Sequence, residues 1–259
     1  MNPTPLARRV LITGGTSGLG LALAREFRRR GAEVAIVARH AAGLQRVMRE
    51  LPGVHGIEAD VASKQDIHRI ALQALGALGG VDVLINNASS LGPVPLALLA
   101  DTECESLEEA LATNLLGPFR LTRALLGALS ASARAGHGAL VLNISSDAAL
   151  TPYPGWGAYG ASKAALHQLS RIWHAELQGS GVQVLSLDPG DMDTPLHALA
   201  VPDADPAGLK PPAQAARELA DAIEEAAGPK TPAASPLEGS PGPEASSAGR
   251  APALPGAPA

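Results

Sequence analysis

The stretch Arg9-Val10-Leu11-Ile12-Thr13-Gly14-Gly15-Thr16-Ser17-Gly18-Leu19-Gly20 decides how the rest of the chain reads. Its first five residues are a short apolar run with the character of a buried strand. The glycines that come next permit a tight turn. From Leu21 to Arg30 the pattern is helical, and Gly31 ends it. Strand, glycine turn and helix in this order can hold a dinucleotide. Glycines let the backbone approach a pyrophosphate, and the helix N-terminus offers unpaired amides and a partial positive charge. A plain glycine turn fits the same residues, so the assignment needs support from elsewhere in the chain.

Outward from this unit, strands and helices alternate. The strands are expected at Val10–Thr13, Glu33–Ala38, Val54–Ala59, Val83–Asn86, Ala139–Ser145 and Gln183–Leu187. Helices are expected near 18–30, 41–51, 63–78, 103–134 and 157–178, with an amphipathic one over Pro212–Ala227. Such alternation predicts an α/β fold: a single doubly wound, Rossmann-type domain with a parallel sheet and helices on both faces. In that architecture the ligand belongs at the carboxyl ends of the strands. The glycine turn, Asn87, Ser146 and Pro189-Gly190 all come directly after strands and fall on that edge.

A second motif stands far from the first. Tyr159-Gly160-Ala161-Ser162-Lys163 brings one of only two tyrosines together with one of four lysines at a spacing of four. On a helix these positions share a face. A free phenol titrates near ~10, and a neighbouring ammonium favours the phenolate. The spacing therefore predicts a proton-transfer site with a lowered phenol pKa.

Taken together, Thr13-Gly14-x-x-x-Gly18-x-Gly20 and Tyr159-x-x-x-Lys163 resemble the short-chain dehydrogenase/reductase family, over roughly residues 8 to 227. Asp60-Val61, Asn86-Asn87-Ala88, Asn114, Ser145-Ser146, Pro189-Gly190 and Thr194 match the family's further motifs in order, with Ser89 where a glycine is usual. The resemblance implies a nicotinamide cofactor held by Gly14, Thr16, Ser17, Gly18, Leu19, Gly20, Asp60, Val61, Asn87, Ala88, Tyr159, Lys163, Pro189, Gly190 and Thr194. It implies catalysis by Asn114, Ser146, Tyr159 and Lys163. Tyr159 would be the acid/base and Ser146 would polarise a carbonyl. Lys163 would hold the nicotinamide ribose, and Asn114 would hold a relay water.

Ala38 stands where NAD-preferring members usually carry an acid, and Arg39 is the next residue. Loss of the carboxylate and gain of a guanidinium suit a 2′-phosphate, so NADP(H) is the expected cofactor, with NAD(H) as the alternative. The family's substrate segments correspond to Ser90–Val94, Ala148–Trp156 and Asp191–Leu209. Ala148, Tyr153, Trp156 and Met192 are the candidate substrate contacts there. Tyr153 and Trp156 suggest an apolar wall for a hydrophobic aldehyde, ketone or quinone. The expected activity is NADP-preferring hydride transfer between the nicotinamide and a carbonyl or alcohol. The alternatives are an NAD-dependent alcohol dehydrogenase and a non-catalytic dinucleotide-binding regulator on the same scaffold.

Composition bounds the remaining possibilities. A chain of 259 residues suits one large α/β domain, and 46% hydrophobic residues can fill its core. A net charge of −5 gives no reason to expect nucleic-acid binding. Met1 to Arg9 has no apolar signal core and no long apolar run occurs, so no membrane partner is expected. Cys104 is the single cysteine, which fits a reducing, cytoplasmic setting. The histidines show no ligand spacing, and no metal is expected.

Residues 1–228 form the expected domain, and residues 229–259 a Pro/Ala/Ser/Gly-rich tail. The tail holds eight prolines, and only Leu237 and Leu254 are large and apolar, so it reads as disordered. The family's usual seventh strand cannot be found there. The sheet is expected to have six strands, or seven if the tail supplies one. A homodimer through helices 103–134 and 157–178 is the assembly this leaves open.

Overall fold

Six apolar runs become six parallel strands, and the sequence between them supplies helices long enough to cross back over the sheet. The structure is a computed structural model that describes residues 7–227. The tail over 229–259, and any seventh strand in it, lie outside the described residues. The strands are β1 (Arg9–Thr13), β2 (Glu33–Ala38), β3 (Val54–Glu58), β4 (Val83–Asn86), β5 (Ala139–Ile144) and β6 (Val182–Leu187). They form one sheet in the order β3-β2-β1-β4-β5-β6. The strand order reverses beside β1, which places a crevice above the β1–β4 pair.

The helices are α1 (Gly18–Arg29), α2 (Ala41–Glu50), α3 (Asp66–Leu78), α4 (Cys104–Leu111), α5 (Gly117–Arg134), α6 (Gly157–Leu177), α7 (Pro195–Ala200) and α8 (Pro212–Ala227). Alternate residues of β1 serve opposite faces, as the strand period requires. Val10 and Ile12 pack with Leu23, Phe27, Leu219 and Ile223 of α1 and α8. Leu11 packs on the other face with Ile70, Leu121 and Leu125 of α3 and α5. Burial on both faces explains why the central strands read as unbroken apolar runs.

α8 is tied to α1 by charge as well as by packing. Arg30 bonds Glu26 at 2.7 Å, Asp221 at 2.7 Å and Glu224 at 2.9 Å, and Arg29 bonds Glu26 at 2.6 Å. The Arg29 guanidinium, with Arg30 beside it, holds the buried Glu26 carboxyl down to about 2.

Two expectations need correction. The helix expected over 103–134 is not continuous: α4 gives way to a π-turn over Ala112–Leu116 before α5 starts. Pro118 has no N–H, so the α-helical bond to the Asn114 carbonyl cannot form, and the backbone widens just ahead of it. The helix expected from residue 63 begins at Asp66. The Ser63 hydroxyl accepts from the Asp66 amide at 3.3 Å, and the residues between form a turn.

Candidate active site

The glycine turn is held in place from β4. Thr13 is buried, and its Oγ1 accepts the amides of Asn87 and Ala88, both at 3.0 Å. Asn87 returns the bond, donating Nδ2 to the Thr13 carbonyl at 2.8 Å and the Gly14 carbonyl at 3.3 Å. Gly14 sits at φ 69°, a conformation that disfavours side chains. A Cβ on Gly20 would collide with the Gly14 carbonyl and Asn87 Nδ2. The turn therefore lies flat against the start of α1, with Ser17 extended at its N-cap.

Above the carboxyl ends of the strands opens a cleft of about 1340 Å³. Gly14, Thr16, Ser17, Gly18, Leu19, Arg39, Asp60, Val61, Asn87 and Ala88 line one part of it. Ser146, Tyr159, Lys163, Pro189, Gly190 and Thr194 line the continuation, with Ala148, Tyr153, Trp156 and Met192. Gly20 and Asn114 do not line it. Gly20 acts by letting the turn close, and Asn114 lies behind the wall. Asp60 Oδ1 caps the adjoining turn through the Ala62 amide at 2.9 Å. Arg39 is exposed at the cleft edge, and among the described residues it makes no ion pair.

Tyr159 and Lys163 occupy successive turns of α6, with Ser146 just past the end of β5. Lys163 is 2% exposed, and its Nζ lies 5.5 Å from the Tyr159 ring centroid. Nζ donates to the Ile144 carbonyl at 2.8 Å. Burial pushes the Lys163 ammonium down to about 8, against the pull of Asp188. The phenol departs from the lowered pKa that its spacing from Lys163 predicts. Burial pushes Tyr159 up to about 12; hydrogen bonding with Ser146 and Ser89 opposes this, and the charges of Asp188 and Asp147 add to it. The loss of solvent sets the direction of the shift, and the phenol stays protonated.

Asn114 is buried in the π-turn, and all four of its side-chain positions are used. Oδ1 accepts the Ser90 amide at 2.8 Å and the Ser89 hydroxyl at 3.2 Å. Nδ2 donates to the Ser90 carbonyl at 2.7 Å and Ser162 Oγ at 2.8 Å. Ser162 in turn donates to the Tyr159 carbonyl at 2.7 Å. The side chain thus ties the loop after β4 to the turn carrying Tyr159. Any water held by this residue must use its backbone carbonyl, which Pro118 deprives of an α-helical donor.

The end of the cleft around Trp156 is aromatic and apolar. Trp156 meets Tyr159 edge-on, with centroids 5.7 Å apart, and Tyr153 at 6.5 Å. Leu91, Leu96, Ala148, Leu196 and Ala200 pack with Tyr159 and Trp156, so α7 joins this cluster through Leu196 and Ala200. Thr194 Oγ1 caps α7 through the His197 amide at 3.2 Å. A parallel bridge between Met192 and Lys210 closes the loop beneath α7, and Lys210 Nζ donates to the Pro189 carbonyl at 3.0 Å.

Three residues of this site escaped sequence reasoning. Lys210 carries no local signal. Ser89 was visible as a departure from glycine, and Asp147 as the neighbour of Ser146; neither position revealed its contacts.

A family model described as short chain dehydrogenase matches residues 8–205. The chain is 33% identical over 196 residues to 2-(R)-hydroxypropyl-CoM dehydrogenase of Xanthobacter autotrophicus, covering 74% of this chain and 77% of that protein. Its fold superposes on 3-ketoacyl-(acyl-carrier-protein) reductase from Brucella melitensis complexed with NADH, with a TM-score of 0.78 and 29% identity, covering 85% of this chain and 91% of the other. It also superposes on an alcohol dehydrogenase from the archaeon Thermococcus sibiricus complexed with 5-hydroxy-NADP, with a TM-score of 0.74 and 28% identity, covering 84% and 91%.

Proposed function

Because the chain belongs to the short chain dehydrogenase family, and so is an NAD(P)-dependent oxidoreductase, we propose that it is an NADP-preferring carbonyl reductase. One observation carries this reading: a buried phenol, a buried ammonium and a serine hydroxyl line the same cleft as the glycine turn, beside apolar and aromatic side chains. The residues suit a nicotinamide dinucleotide. The α1 N-terminus and the flat glycine turn offer amides to a pyrophosphate, and Asp60, Val61 and Ala88 flank an adenosine position. Among the described residues the Arg39 guanidinium pairs with no carboxylate and suits a 2′-phosphate, and Ala38 brings no repelling charge.

When bound, the dinucleotide supplies the hydride. Every other task falls to the chain. Tyr159 gives its phenolic proton to the carbonyl oxygen as the alcohol forms. The phenol, held up to about 12 by burial, carries the proton it is to give. Ser146 hydrogen-bonds the same oxygen. Lys163 keeps two N–H groups beyond the one on Ile144, enough to hold a ribose hydroxyl and compensate the phenolate. Asn114 fixes the loop and offers its carbonyl to a relay water. Ala148, Tyr153, Trp156 and Met192 receive a hydrophobic carbonyl compound. No helix among the described residues is long and apolar enough to cross a membrane, and the exposed Cys104 thiol suits a reducing cytoplasm.

The test is turnover of NADPH and NADH against aldehydes, ketones, diketones and quinones. NADPH is expected to be preferred, and Arg39→Ala to raise its KM while sparing that of NADH. Tyr159→Phe is expected to lower kcat about 10²–10⁴-fold. Preference for NADH would overturn the cofactor assignment, and full activity of Tyr159→Phe would overturn the mechanism.

A further inference from the structure

Asp147 sits at the cleft mouth with both carboxylate oxygens engaged. Oδ2 accepts the Tyr153 phenol at 2.7 Å, and Oδ1 accepts the Ser146 hydroxyl at 3.0 Å. Ser146 Oγ also accepts the Ala148 amide at 3.2 Å. The capacity of Ser146 is therefore nearly spent: its one proton points to Asp147, and one lone pair remains toward Tyr159. An ionised acceptor holds a hydroxyl proton more firmly than a neutral one. Ser146 can donate to a substrate oxygen only by turning away from Asp147.

The charges around this pair are unbalanced. Asp191 bears on Tyr153, and Asp188 on Tyr159. The basic side chains lining the cleft are Lys163 beneath the phenol, Arg39 and His40 beside the glycine turn, and His197. His197 Nε2 lies 3.9 Å from Asp191. The mouth is thus apolar with a negative rim.

We propose that Asp147 is a positioning and specificity-determining residue: latched by Tyr153, its carboxylate directs the Ser146 hydroxyl and sets a fixed negative charge beside the substrate oxygen, selecting neutral carbonyl compounds over anionic ones. This rests on the reading of Ser146 as the group that holds that oxygen. The step needs no extra reactant, since a proton only changes acceptor within hydrogen-bond distance.

Two measurements test it. The first compares kcat/KM for a neutral aldehyde and a carboxylate-bearing aldehyde of similar length. Asp147→Asn is expected to shift the ratio toward the carboxylate by about two- to fivefold, the range for a solvent-screened charge. A merely structural role would lower both values together, and an unchanged ratio overturns the proposal.

The second does not depend on turnover. Tyr153 and Tyr159 are the only tyrosines, so ring-13C-labelled tyrosine gives two NMR signals, and a separate Tyr153→Phe sample serves only to assign them. In the protein that keeps Tyr153, Asp147→Asn is expected to move the Tyr159 midpoint to lower pH, because a charge that disfavours the phenolate has gone. An unmoved midpoint overturns the proposal. If the wild type reduces no carbonyl compound, the proposed function falls, and this titration alone decides the role of Asp147.

Discussion

Ser162 occupies a helix position where any small residue would fit by periodicity, yet its hydroxyl does two jobs. It accepts from Asn114 Nδ2 at 2.8 Å and donates to the Tyr159 carbonyl at 2.7 Å, fully out of water. Ser162→Ala leaves an amide N–H without an acceptor in a dry site, which costs about 1–3 kcal/mol. The expected outcome is a lower urea midpoint, with kcat falling as the loop after β4 loosens from α6. A midpoint equal to the wild type would remove Ser162 from the network.

At this scale the sequence was legible in part. Tyr159 and Lys163 were found because a helix imposes a spacing of four. The direction of the phenol shift was not, because it depends on how much solvent the surrounding chain removes. The Ser146–Asp147–Tyr153 chain of bonds has no periodicity to reveal it.

Helix α1 illustrates how an element is kept on the sheet. Its inner face is apolar, but its last turn carries Glu26, Arg29 and Arg30, which bond to each other and to α8. Glu26 is nearly buried, and Arg29 and Arg30 hold its carboxyl at about 2 against an ordinary 4.5. A folded-state pKa below the unfolded one stabilises the fold at pH above 4.5 and loses that contribution as the pH falls toward 2. Glu26→Gln removes it at every pH. Urea midpoints of the two proteins are expected to differ above pH ~5 and to converge as the solution is acidified. A constant difference across the range would show that the Arg29–Arg30 cluster does not hold Glu26 in solution.

Elements with strong patterns, such as β1, β5 and α6, were placed within a residue by sequence alone. The break between α4 and α5 was not. The clue was Gly117-Pro118 inside an otherwise helical run, and its effect falls on a residue four positions earlier.

On the scale of the molecule, the faces left uncovered matter most. Leu116 and Ile172 are 39% and 44% exposed near the Phe119–Trp173 ring pair, whose centroids are 6.1 Å apart. We propose a homodimer through α5 and α6 that would cover Leu116, in the π-turn ahead of α5, and Ile172 on α6. Sedimentation is expected to give twice the 26.2 kDa chain mass, and Ile172→Glu to return the protein to monomer. A wild type that sediments as a monomer would sink the dimer. Alternation and handedness gave the parallel, doubly wound sheet but not the order of its six strands, because more than one doubly wound order satisfies both. The neighbour of β6 on its outer side was not, because the prolines after residue 228 carry no strand pattern.

The sheet order also governs how the chain meets the ribosome. β1, β2 and β3 are made first and form one wing of the sheet, complete by Glu58. β1 is then the margin of that wing, and its other neighbour, β4, begins only at Val83. Until β4 has emerged, one edge of β1, with Val10, Leu11 and Ile12 at its centre, has no strand to pair with, and an unpaired apolar edge is the form in which strands are captured by wrong partners. The strand that ends in the middle of the finished sheet, and that leads into the glycine turn, therefore waits for its second neighbour until residues 83–86 are made.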